Sequence, residues 1–405
     1  MEKCTAILKC IACGGDHLIP TLDLQDQPLA NNFQPHAGVK DTDDWFPLAV
    51  NRCSNCDHLQ LTHAVNPELI YKHYLYVSGT SKTYVEYMDW YVRFVRENFY
   101  HSPLSVLDIG CNDGSQLDAF KRLGFATYGV DPAENLYPVS SAKGHKIVQG
   151  FWNHESADQL DREFDIITSQ NAFAHIPDPL TYLQTAAGVL RHDGKIFIST
   201  SQADMVLNGE FDTIYHEHIS FYNAESMRRL AERAGLFLVD VVKTPIHGTS
   251  YIFVLAKKPE NRFHMENILA MESKLHQVST YTDWSAGVNS LLSELKKGIN
   301  DCRAQGYTVV GYGAAAKGMT LINASDIDLD CVIDDNPLKQ GLYCPGTTIP
   351  VVGIDWLDRI TDPNEHVLFI PLAWNFYAEI KAKIKARRDN ANDLFLRYFP
   401  RLKAE

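Results

Sequence analysis

Four cysteines in two Cys-x-x-Cys pairs constrain this chain more than any other feature of its sequence. They are Cys10, Cys13, Cys53 and Cys56. Two intervening residues form a knuckle that turns both sulfurs of a pair toward one metal, and four thiolates make a closed tetrahedral zinc site. Because a closed site cannot activate water, we expect a structural zinc in a compact, loop-rich module over residues 1–66. Metal-free cysteines and a redox role are the alternatives, and His17 or His58 could replace a sulfur.

The composition narrows the class of protein. The 405 residues are 45% hydrophobic, enough for two or three buried cores. A net charge of -13 without clustered Lys and Arg argues against nucleic-acid binding, because neutralising phosphates needs such clusters. Nine cysteines, an odd count, argue against a fully paired disulfide framework. The first residues do not resemble a signal peptide and no apolar run approaches the roughly 18 residues of a membrane span, so we expect a cytoplasmic protein that binds no membrane.

Alternation of short apolar strands with helical segments predicts a doubly wound parallel sheet from Ser105 onward. Two further apolar runs at the end of this segment predict a pair of strands that completes the sheet. The second strand of the pair is expected to be inserted antiparallel. Before the sheet, apolar and aromatic residues recur at helical intervals from Pro67 to Phe99, interrupted at Ser78–Ser81. A second alternating set follows a helical segment of residues 261–305. We therefore expect an α/β protein of three parts: a zinc module at 1–66, the main α/β domain at 67–260 and a smaller Rossmann-like α/β domain at 261–405.

The loop after the first strand of the main domain has the residues of an adenosine-cofactor site. They are Asp108, Gly110, Asn112, Asp113 and Gly114, between a strand and a helix. Glycines there let a ligand approach the backbone closely, although Asn112 stands where a middle glycine is usual. Asp131, followed by Pro132, ends the next strand, where an acidic residue accepts hydrogen bonds from both ribose hydroxyls. The alternative is that these acidic residues only cap helices.

The charge around this loop distinguishes two cofactors. A nicotinamide dinucleotide places its pyrophosphate at a helix N-terminus, but this helix presents Asp113 and Asp118. S-adenosylmethionine (SAM) carries a positive sulfonium and no phosphate, so acidic residues favour it. A SAM site on a sheet with an antiparallel closing strand predicts the fold of class I SAM methyltransferases.

Polar residues that follow two strands are candidates for the reaction centre. Asn171, Ala172 and His175 come after the fourth strand, at the edge where open α/β sheets bind ligands. Tyr215-His216-Glu217-His218 follows the fifth strand, and its spacing predicts an extended segment with both histidines on one side. General acid–base chemistry suits histidines, while metal binding and a self-bonded polar loop are the alternatives.

The smaller domain contains a second glycine-containing loop. Gly313, Ala314 and Lys317 lie between a strand and a helix, and the next strand ends in Asp334-Asp335. Backbone amides, a helix N-terminus and a lysine suit a phosphate group. NAD, a nucleotide-activated substrate and a Rossmann-like domain without a ligand are all consistent with this pattern.

In order, these residues resemble the SAM-dependent C-methyltransferases of nucleotide-linked 4-keto-6-deoxysugars, which act in deoxysugar biosynthesis. The resemblance covers essentially the whole chain. Its motifs are the two CxxC pairs, GCNDG at 110–114, NAFAHIPD at 171–178, YHEH at 215–218, GYGAAAKG at 311–318 and VIDDNPLKQG at 332–341.

The resemblance implies structural zinc, SAM in the central domain and a sugar nucleotide, TDP- or GDP-linked, held with help from the C-terminal domain. It also implies that the enzyme removes a proton at C3 beside the keto group and that the resulting enolate carbon attacks the methyl of SAM. By resemblance His218 is the base, Tyr215 and Glu217 assist it, and His175 and Tyr76 complete the site. The substrate contacts implied are Tyr76, Tyr215, Gly313, Ala314 and Lys317.

One segment departs from the family pattern. Family members read H-G-G-S-L-R before the last strand, whereas this chain has isoleucine at the arginine position, in the segment His247–Ile252. We expect altered phosphate or sugar contacts there. Methylation of oxygen or nitrogen on another acceptor, and a non-catalytic nucleotide-binding protein, are the alternative functions.

Overall fold

The computed structural model describes residues 2–37, 44–71, 77–80, 82–100, 104–200, 204–244, 246, 249–260, 264–362 and 364–405. The predicted site residue Tyr76 lies outside these ranges.

The chain divides into two compact units. Unit 1 consists of residues 1–19, 51–204 and 217–276, and unit 2 of residues 20–50, 205–216 and 277–405. The division into three domains stays a prediction.

The first hundred residues form strands and two helices. They are β1 (Cys4–Ala6), β2 (Leu18–Pro28), β3 (Trp45–Cys53), β4 (Leu59–Leu61), β5 (His63–Val65), α1 (Pro67–Tyr71) and α2 (Lys82–Phe99), with a 3-10 turn at Ser78–Thr80. The predicted loop-rich character of residues 1–66 is wrong for the long strands β2 and β3. Phe46, Leu48 and Val50 alternate with less buried neighbours along β3, which is the period of a strand with one buried face. The predicted break between two helices is confirmed.

The main α/β sheet follows. Its elements are β6 (Ser105–Ile109), α3 (Ser115–Arg122), β7 (Ala126–Asp131), α4 (Tyr137–Ala142), β8 (Lys146–Gln149), α5 (His154–Asp158), β9 (Phe164–Gln170), α6 (Pro179–Val189), β10 (Leu190–Thr200), α7 (Asp204–Asn208), β11 (Ser220–Phe221), α8 (Ala224–Arg233), β12 (Phe237–Thr244), β13 (Ser250–Ala256) and α9 (His264–Glu272). The strand order in unit 1 is β12-β13-β10-β9-β6-β7-β8. Strand β13 runs antiparallel to β10 and β12, as expected.

Both faces of this sheet are covered. Leu107 and Ile109 pack on one face in a core with α6 and α8, while Val106, which directly precedes Leu107, packs on the other face with α2 and α3. Strand side chains alternate between faces, so a strand buried on both sides needs a continuous apolar run. The carboxyl ends of the parallel strands remain the edge at which such sheets bind ligands.

Unit 2 contains a second α/β sheet. The remaining elements are α10 (Val278–Ala304), β14 (Thr308–Tyr312), α11 (Ala316–Ser325), β15 (Cys331–Ile333), β16 (Val351–Val352), β17 (Val367–Pro371), α12 (Tyr377–Arg387), β18 (Leu394–Arg397) and β19 (Lys403–Ala404). The order is β16-β15-β14-β17-β18-β19, with β19 antiparallel to its neighbour. Among the described residues, no helix has the length and apolarity needed to cross a membrane.

Candidate active site

The cofactor loop turns sharply as it leaves β6. Gly110 has φ +83°, and a Cβ on this residue would lie 2.6 Å from the Cβ of Ala172. Only glycine adopts that conformation and that approach without strain. Asn112, at the usual position of a middle glycine, has φ +50°, in the left-handed region that asparagine tolerates better than most residues. The structure therefore explains why asparagine is accepted there.

Two buried carboxylates lie under the loop. Asp131 accepts a hydrogen bond from the amide of Asn112 at 2.8 Å through one oxygen and from the amide of Ala133 at 2.9 Å through the other. Burial raises the pKa of Asp131, and these bonds partly oppose that shift. Burial, with the nearby charge of Asp131, raises the pKa of Asp108 to about 8. Oδ1 of Asp108 is buried and has no hydrogen-bond partner among the described residues, so it is suited to a cationic donor.

The segment before α2 covers the outer side of the loop. The amide of Ser78 donates to Oδ1 of Asn112 at 3.0 Å, and the amide of Gly79 donates to Oδ2 of Asp113 at 3.2 Å. A Cβ on Gly79 would lie 2.5 Å from Oδ2 of Asp113. The helical segment that precedes the sheet is thus bound to the cofactor loop.

The end of β9 lies against the same loop. Asn171 has φ +56°, donates its amide N–H to Ser199 O at 2.7 Å and donates its side-chain Nδ2 to the Tyr84 hydroxyl at 3.0 Å. The neighbouring Ala172 is the residue that Gly110 faces. The predicted cofactor residues of these two strand ends are therefore brought together.

Three stacked rings stand beside Ala172. The ring of His175 lies between Tyr71, at 5.4 Å and 11°, and His218, at 5.3 Å and 24°. Burial lowers the pKa of His175 to about 4, so its imidazole is neutral near pH 7. The Tyr71 hydroxyl donates to Glu217 O at 3.4 Å. Sequence reasoning missed Tyr71, and only its position at the end of α1, before the cofactor domain, could have indicated it.

The YHEH segment is a turn, so the predicted extended conformation with both histidines on one side is wrong. His216 is buried in unit 2, where its Nε2 donates to Phe46 O at 3.1 Å. His218 belongs to unit 1 and to the ring stack. Glu217 is 5% exposed, and Tyr215 is partly buried. The sequence pattern alone did not indicate that the two histidines have different surroundings.

The four cysteines of the CxxC pairs form one cluster. Their sulfurs all lie within 4.8 Å of one another, with Cys10 and Cys56 at 3.7 Å and Cys13 and Cys53 at 3.6 Å. Zinc–sulfur bonds of about 2.3 Å in a tetrahedron give sulfur separations of about 3.8 Å, so the cluster fits zinc. His58 is not part of the cluster: its ring packs at a tilt of 38° against Tyr222, with the ring centres 4.7 Å apart, and burial lowers its pKa to about 3.

Helix α8 holds both knuckles. At its start, Asn223 accepts the amide of Ser226 at 2.7 Å and donates Nδ2 to Asp57 O at 2.9 Å, directly after the second knuckle. At its end, Arg233 donates to Ala12 O, within the first knuckle, at 2.6 Å. The cysteine cluster is thereby attached to the helix layer of the main sheet, which supports a structural role.

In unit 2, the predicted substrate residues surround the start of α11. Gly313 has φ +94°, and the amide of Ala314 donates to Oδ2 of Asp334 at 2.6 Å. The ammonium of Lys317 lies 3.8 Å from Oδ1 of Asp212 and 5.3 Å from the centre of the Trp374 ring. Lys317 therefore has its positive charge near the loop and is held by a buried carboxylate.

Comparisons with known proteins match three consecutive segments to family descriptions. Residues 10–71 match a zinc binding domain, residues 81–241 a methyltransferase domain, and residues 245–400 a C-methyltransferase C-terminal domain. The C-methyltransferase NovU of Streptomyces niveus is 28% identical over 385 residues, which are 92% of this chain and 91% of that protein. The chain belongs to the C-methyltransferases with an N-terminal zinc-binding domain.

Other similarities cover only part of this C-methyltransferase. The ubiquinone biosynthesis O-methyltransferase of Aeromonas salmonicida is 27% identical over 40% of this chain and 75% of that protein. The crystal structure of magnesium protoporphyrin IX methyltransferase from Synechocystis PCC 6803 with bound SAM covers 43% of this chain and 79% of that one, with 15% identity and a TM-score of 0.34.

The C-methyltransferase uses SAM as its cofactor, and the residues of the loop fit it. SAM supplies a methyl group bound to a positive sulfonium. Asp131 ends the strand next to the loop and accepts the loop amide of Asn112, and Oδ1 of Asp108, which has no hydrogen-bond partner in the part of the chain that the structure describes, can accept from an ammonium group. The charge of Asp113, at the centre of the loop, is partly balanced by the ammonium of Lys143 at 3.8 Å.

The C-methyltransferase has a buried isoleucine at the position where the resemblance implies an arginine. Ile252 lies in β13 within the core beside α2 and is 0% exposed. The adjacent Tyr251 donates its hydroxyl to Oδ1 of Asp204 at 2.8 Å, and Lys243 pairs with Oδ2 of the same carboxylate at 2.8 Å. A cation is thus present near this strand end, but it comes from β12 instead of β13.

Proposed function

We propose that this C-methyltransferase acts on carbon 3 of a nucleotide-linked 4-keto-6-deoxysugar in the cytoplasm, as part of deoxysugar biosynthesis. The observation that carries the proposal is the His175–His218 ring pair, in which His175 follows by three residues Ala172, the residue packed against Gly110 of the cofactor loop. A carbon nucleophile needs a base, because a C–H bond beside a ketone must be broken before carbon can attack a methyl group. The motif order supports a sugar acceptor.

In the proposed reaction, His218 takes the C3 proton and the electron pair of that bond forms the enolate. The enolate carbon then forms a bond to the methyl group as the methyl–sulfur bond breaks. S-adenosylhomocysteine (SAH) leaves with that electron pair on sulfur. His175 is neutral, so it stacks against His218 without repelling the protonated base. Tyr215 and Glu217 are proposed to stabilise the enolate oxygen and orient the base, and Tyr76 to contact the sugar.

A second candidate is methylation of oxygen or nitrogen. It is favoured by the match of the central residues to an O-methyltransferase. Such an acceptor already carries a lone pair, so no carbon-bound proton would exchange with solvent.

The test is incubation with SAM and a panel of TDP- and GDP-linked 4-keto-6-deoxysugars, with SAH formation and product mass measured. The proposal predicts SAH with one sugar and a product one methyl group heavier. Replacement of His218 by Asn should lower kcat about 100-fold or more, the usual contribution of a general base. Replacement of the exposed His192 by Asn, a matched control in unit 1, should leave kcat unchanged. Absence of SAH with every keto-sugar would overturn the proposal.

A further inference from the structure

Three tyrosines lie along one face of helix α2. They are Tyr84, Tyr87 and Tyr91, spaced by three and four residues, so they follow one another along the same side of the helix. Their exposed fractions are 4%, 8% and 0%. The ring centres of Tyr84 and Tyr87 are 5.7 Å apart at an interplanar angle of 17°, and those of Tyr87 and Tyr91 are 6.3 Å apart at 27°. The rings thus form a continuous buried stripe that carries three hydroxyl groups.

Two of these hydroxyls bond to side chains within strand β9. Tyr91 and Thr168 share a hydrogen bond of 2.7 Å, and Tyr87 donates to Oε1 of Gln170 at 3.3 Å. Thr168 and Gln170 are two residues apart, so both side chains lie on the face of the sheet that α2 covers. A buried hydroxyl needs a hydrogen-bond partner, so burial alone explains these two bonds.

The bond made by Tyr84 differs, because its partner lies beyond the end of the strand. The hydroxyl of Tyr84 accepts a hydrogen bond from Nδ2 of Asn171 at 3.0 Å. Asn171 is the first residue after β9 and has φ +56°. The next residue, Ala172, packs against Gly110 of the cofactor loop. Tyr84 therefore bonds to a residue at the edge where open α/β sheets bind ligands.

Asn171 is held from two sides, and its amide oxygen remains available. The backbone N–H of Asn171 donates to Ser199 O at 2.7 Å, and its side-chain Nδ2 donates to Tyr84. In the part of the chain that the structure describes, no group donates a hydrogen bond to Oδ1 of Asn171, which is partly exposed. The last torsion of an asparagine side chain is broad without a partner. The bond to Tyr84 restricts that torsion and so fixes the direction of Oδ1.

The segment immediately before α2 is bound to the cofactor loop. The amides of Ser78 and Gly79 donate to the side chains of Asn112 and Asp113, at 3.0 Å and 3.2 Å. Helix α2 begins three residues after Gly79, at Lys82. The helix and the turn before it therefore contact both parts of the predicted SAM site, the loop after β6 and the residue after β9.

An oriented amide oxygen at this edge is suited to the cofactor. SAM and SAH both carry an ammonium group and ribose hydroxyls, which are hydrogen-bond donors, and an amide oxygen is an acceptor. A ligand binds more tightly when the side chain that it contacts is already held in the bound geometry, because less conformational freedom is lost on binding. A residue that holds such a side chain affects affinity without touching the ligand.

We infer that Tyr84 is a positioning residue of the SAM site and acts through Asn171. The hydroxyl of Tyr84 holds the Asn171 amide so that Oδ1 accepts a hydrogen bond from the cofactor. The hydroxyls of Tyr87 and Tyr91 fix α2 to the sheet and have no part in cofactor binding. The inference goes beyond the proposed function, because it concerns SAM binding and does not depend on which acceptor is methylated.

The test is calorimetric titration of the full-length protein with SAH. Tyr84→Phe removes only the hydroxyl and should weaken SAH binding about tenfold, the effect of one hydrogen bond. Tyr91→Phe is the matched control, since it removes a buried hydroxyl from the same face of α2. It should lower the urea midpoint of unfolding at least as much as Tyr84→Phe and leave SAH affinity within about two-fold. Equal weakening of SAH by both variants, or none by Tyr84→Phe, would overturn the inference.

A double-mutant cycle tests whether Tyr84 acts through Asn171. Asn171→Ala removes the amide and should weaken SAH binding at least as much as Tyr84→Phe does. In the Asn171→Ala background, Tyr84→Phe should change SAH affinity by less than about two-fold, because the group that it positions is absent. A further tenfold loss in the double variant would overturn the inference, since the tyrosine would then act independently of Asn171.

The coupling must also operate in the reverse direction. If the bond between Tyr84 and Asn171 strengthens SAH binding, SAH must strengthen the attachment of α2 to the sheet by the same factor. Saturating SAH should therefore slow hydrogen exchange of the α2 amides in wild type, and slow it by a smaller factor in Tyr84→Phe. Equal slowing in the two proteins would overturn the inference.

Discussion

At the scale of single residues, burial determines which groups of the site can carry charge. His175 lies between two rings and is neutral, whereas Asp108 is held under the loop with an oxygen for which the described residues supply no hydrogen bond. A neutral His175 can support a base that becomes cationic, and Asp108 can receive a cationic ligand.

Tyr71 is expected to act through its ring. The hydrogen bond from its hydroxyl to Glu217 O is long, at 3.4 Å, so replacement of Tyr71 by Phe should leave kcat within about three-fold of the wild-type value. Replacement by Ala removes the stack on His175, and a stacked pair is worth up to about 1.5 kcal/mol, so kcat should fall about tenfold. Steady-state kinetics at saturating SAM measures both. Equal loss in the two variants would show that the hydroxyl, not the ring, is needed.

Gly110 is expected to be irreplaceable in the cofactor loop. Alanine there combines a positive φ, which costs about 1–2 kcal/mol, with a Cβ 2.6 Å from that of Ala172. SAH affinity should fall at least about tenfold by calorimetry. The second change Ala172→Gly should restore part of it, because it removes the collision and leaves the φ strain. Gly188→Ala, where a Cβ meets nothing within 4 Å, is the control and should bind SAH normally.

At the scale of elements, the sequence predicted those helices and strands that hydrophobic periodicity and turn residues specify. The strands of the main sheet, including the inserted antiparallel β13, and strands β14 to β17 of unit 2 were predicted and are present, whereas β18 and β19 were not predicted. Strand β3 was not predicted because it contains Pro47 and Asn51, residue types that are rare in strands. The turn at His216 could not be predicted, since that histidine is held by a backbone carbonyl distant in sequence. Contacts between residues distant in sequence determine the geometry of the candidate site.

Helix α8 is expected to hold the zinc module through Asn223. Replacement by Ala removes a helix cap, worth about 1 kcal/mol, and the bond to Asp57 O. Asn153 caps α5 with the same capping box, but the bonds described for its side chain stay within that turn, so Asn153→Ala serves as the control. Both variants should lose stability, and only Asn223→Ala should release zinc faster to a chelator with a colorimetric readout. Equal release rates would show that the cap does not support the knuckle.

At the scale of the whole molecule, stability should depend on buried neutral histidines. Burial lowers the pKa of His216 to about 4, below its ordinary value of 6.5, and the residue is 1% exposed. The unfolded chain therefore binds a proton in the pH range 6.5 to 4 that the folded chain does not. By linkage, burial of the neutral His216 ring makes its full contribution to the free energy of unfolding above pH 6.5. This contribution is lost as the pH falls toward 4.

The variant His216→Gln isolates this effect. Between pH 7 and pH 5 the wild type should lose about 2 kcal/mol more unfolding free energy than the variant, as measured by urea denaturation at each pH. Other titrating groups affect both proteins alike and cancel in the comparison. A constant difference between the two proteins at both pH values would contradict the assignment of a neutral, buried His216.

The most direct test of the account is proton exchange at the acceptor carbon. The protein, with SAH and the keto-sugar nucleotide that it methylates, is incubated in deuterated water, and the C3 proton is followed by NMR. We predict exchange in wild type and in the His192→Asn control, and a loss of about 100-fold or more in exchange rate for His218→Asn, the size of a general-base contribution. Methylation with no C3 exchange in wild type, or exchange unaffected by the His218 change, would contradict an enolate formed by His218.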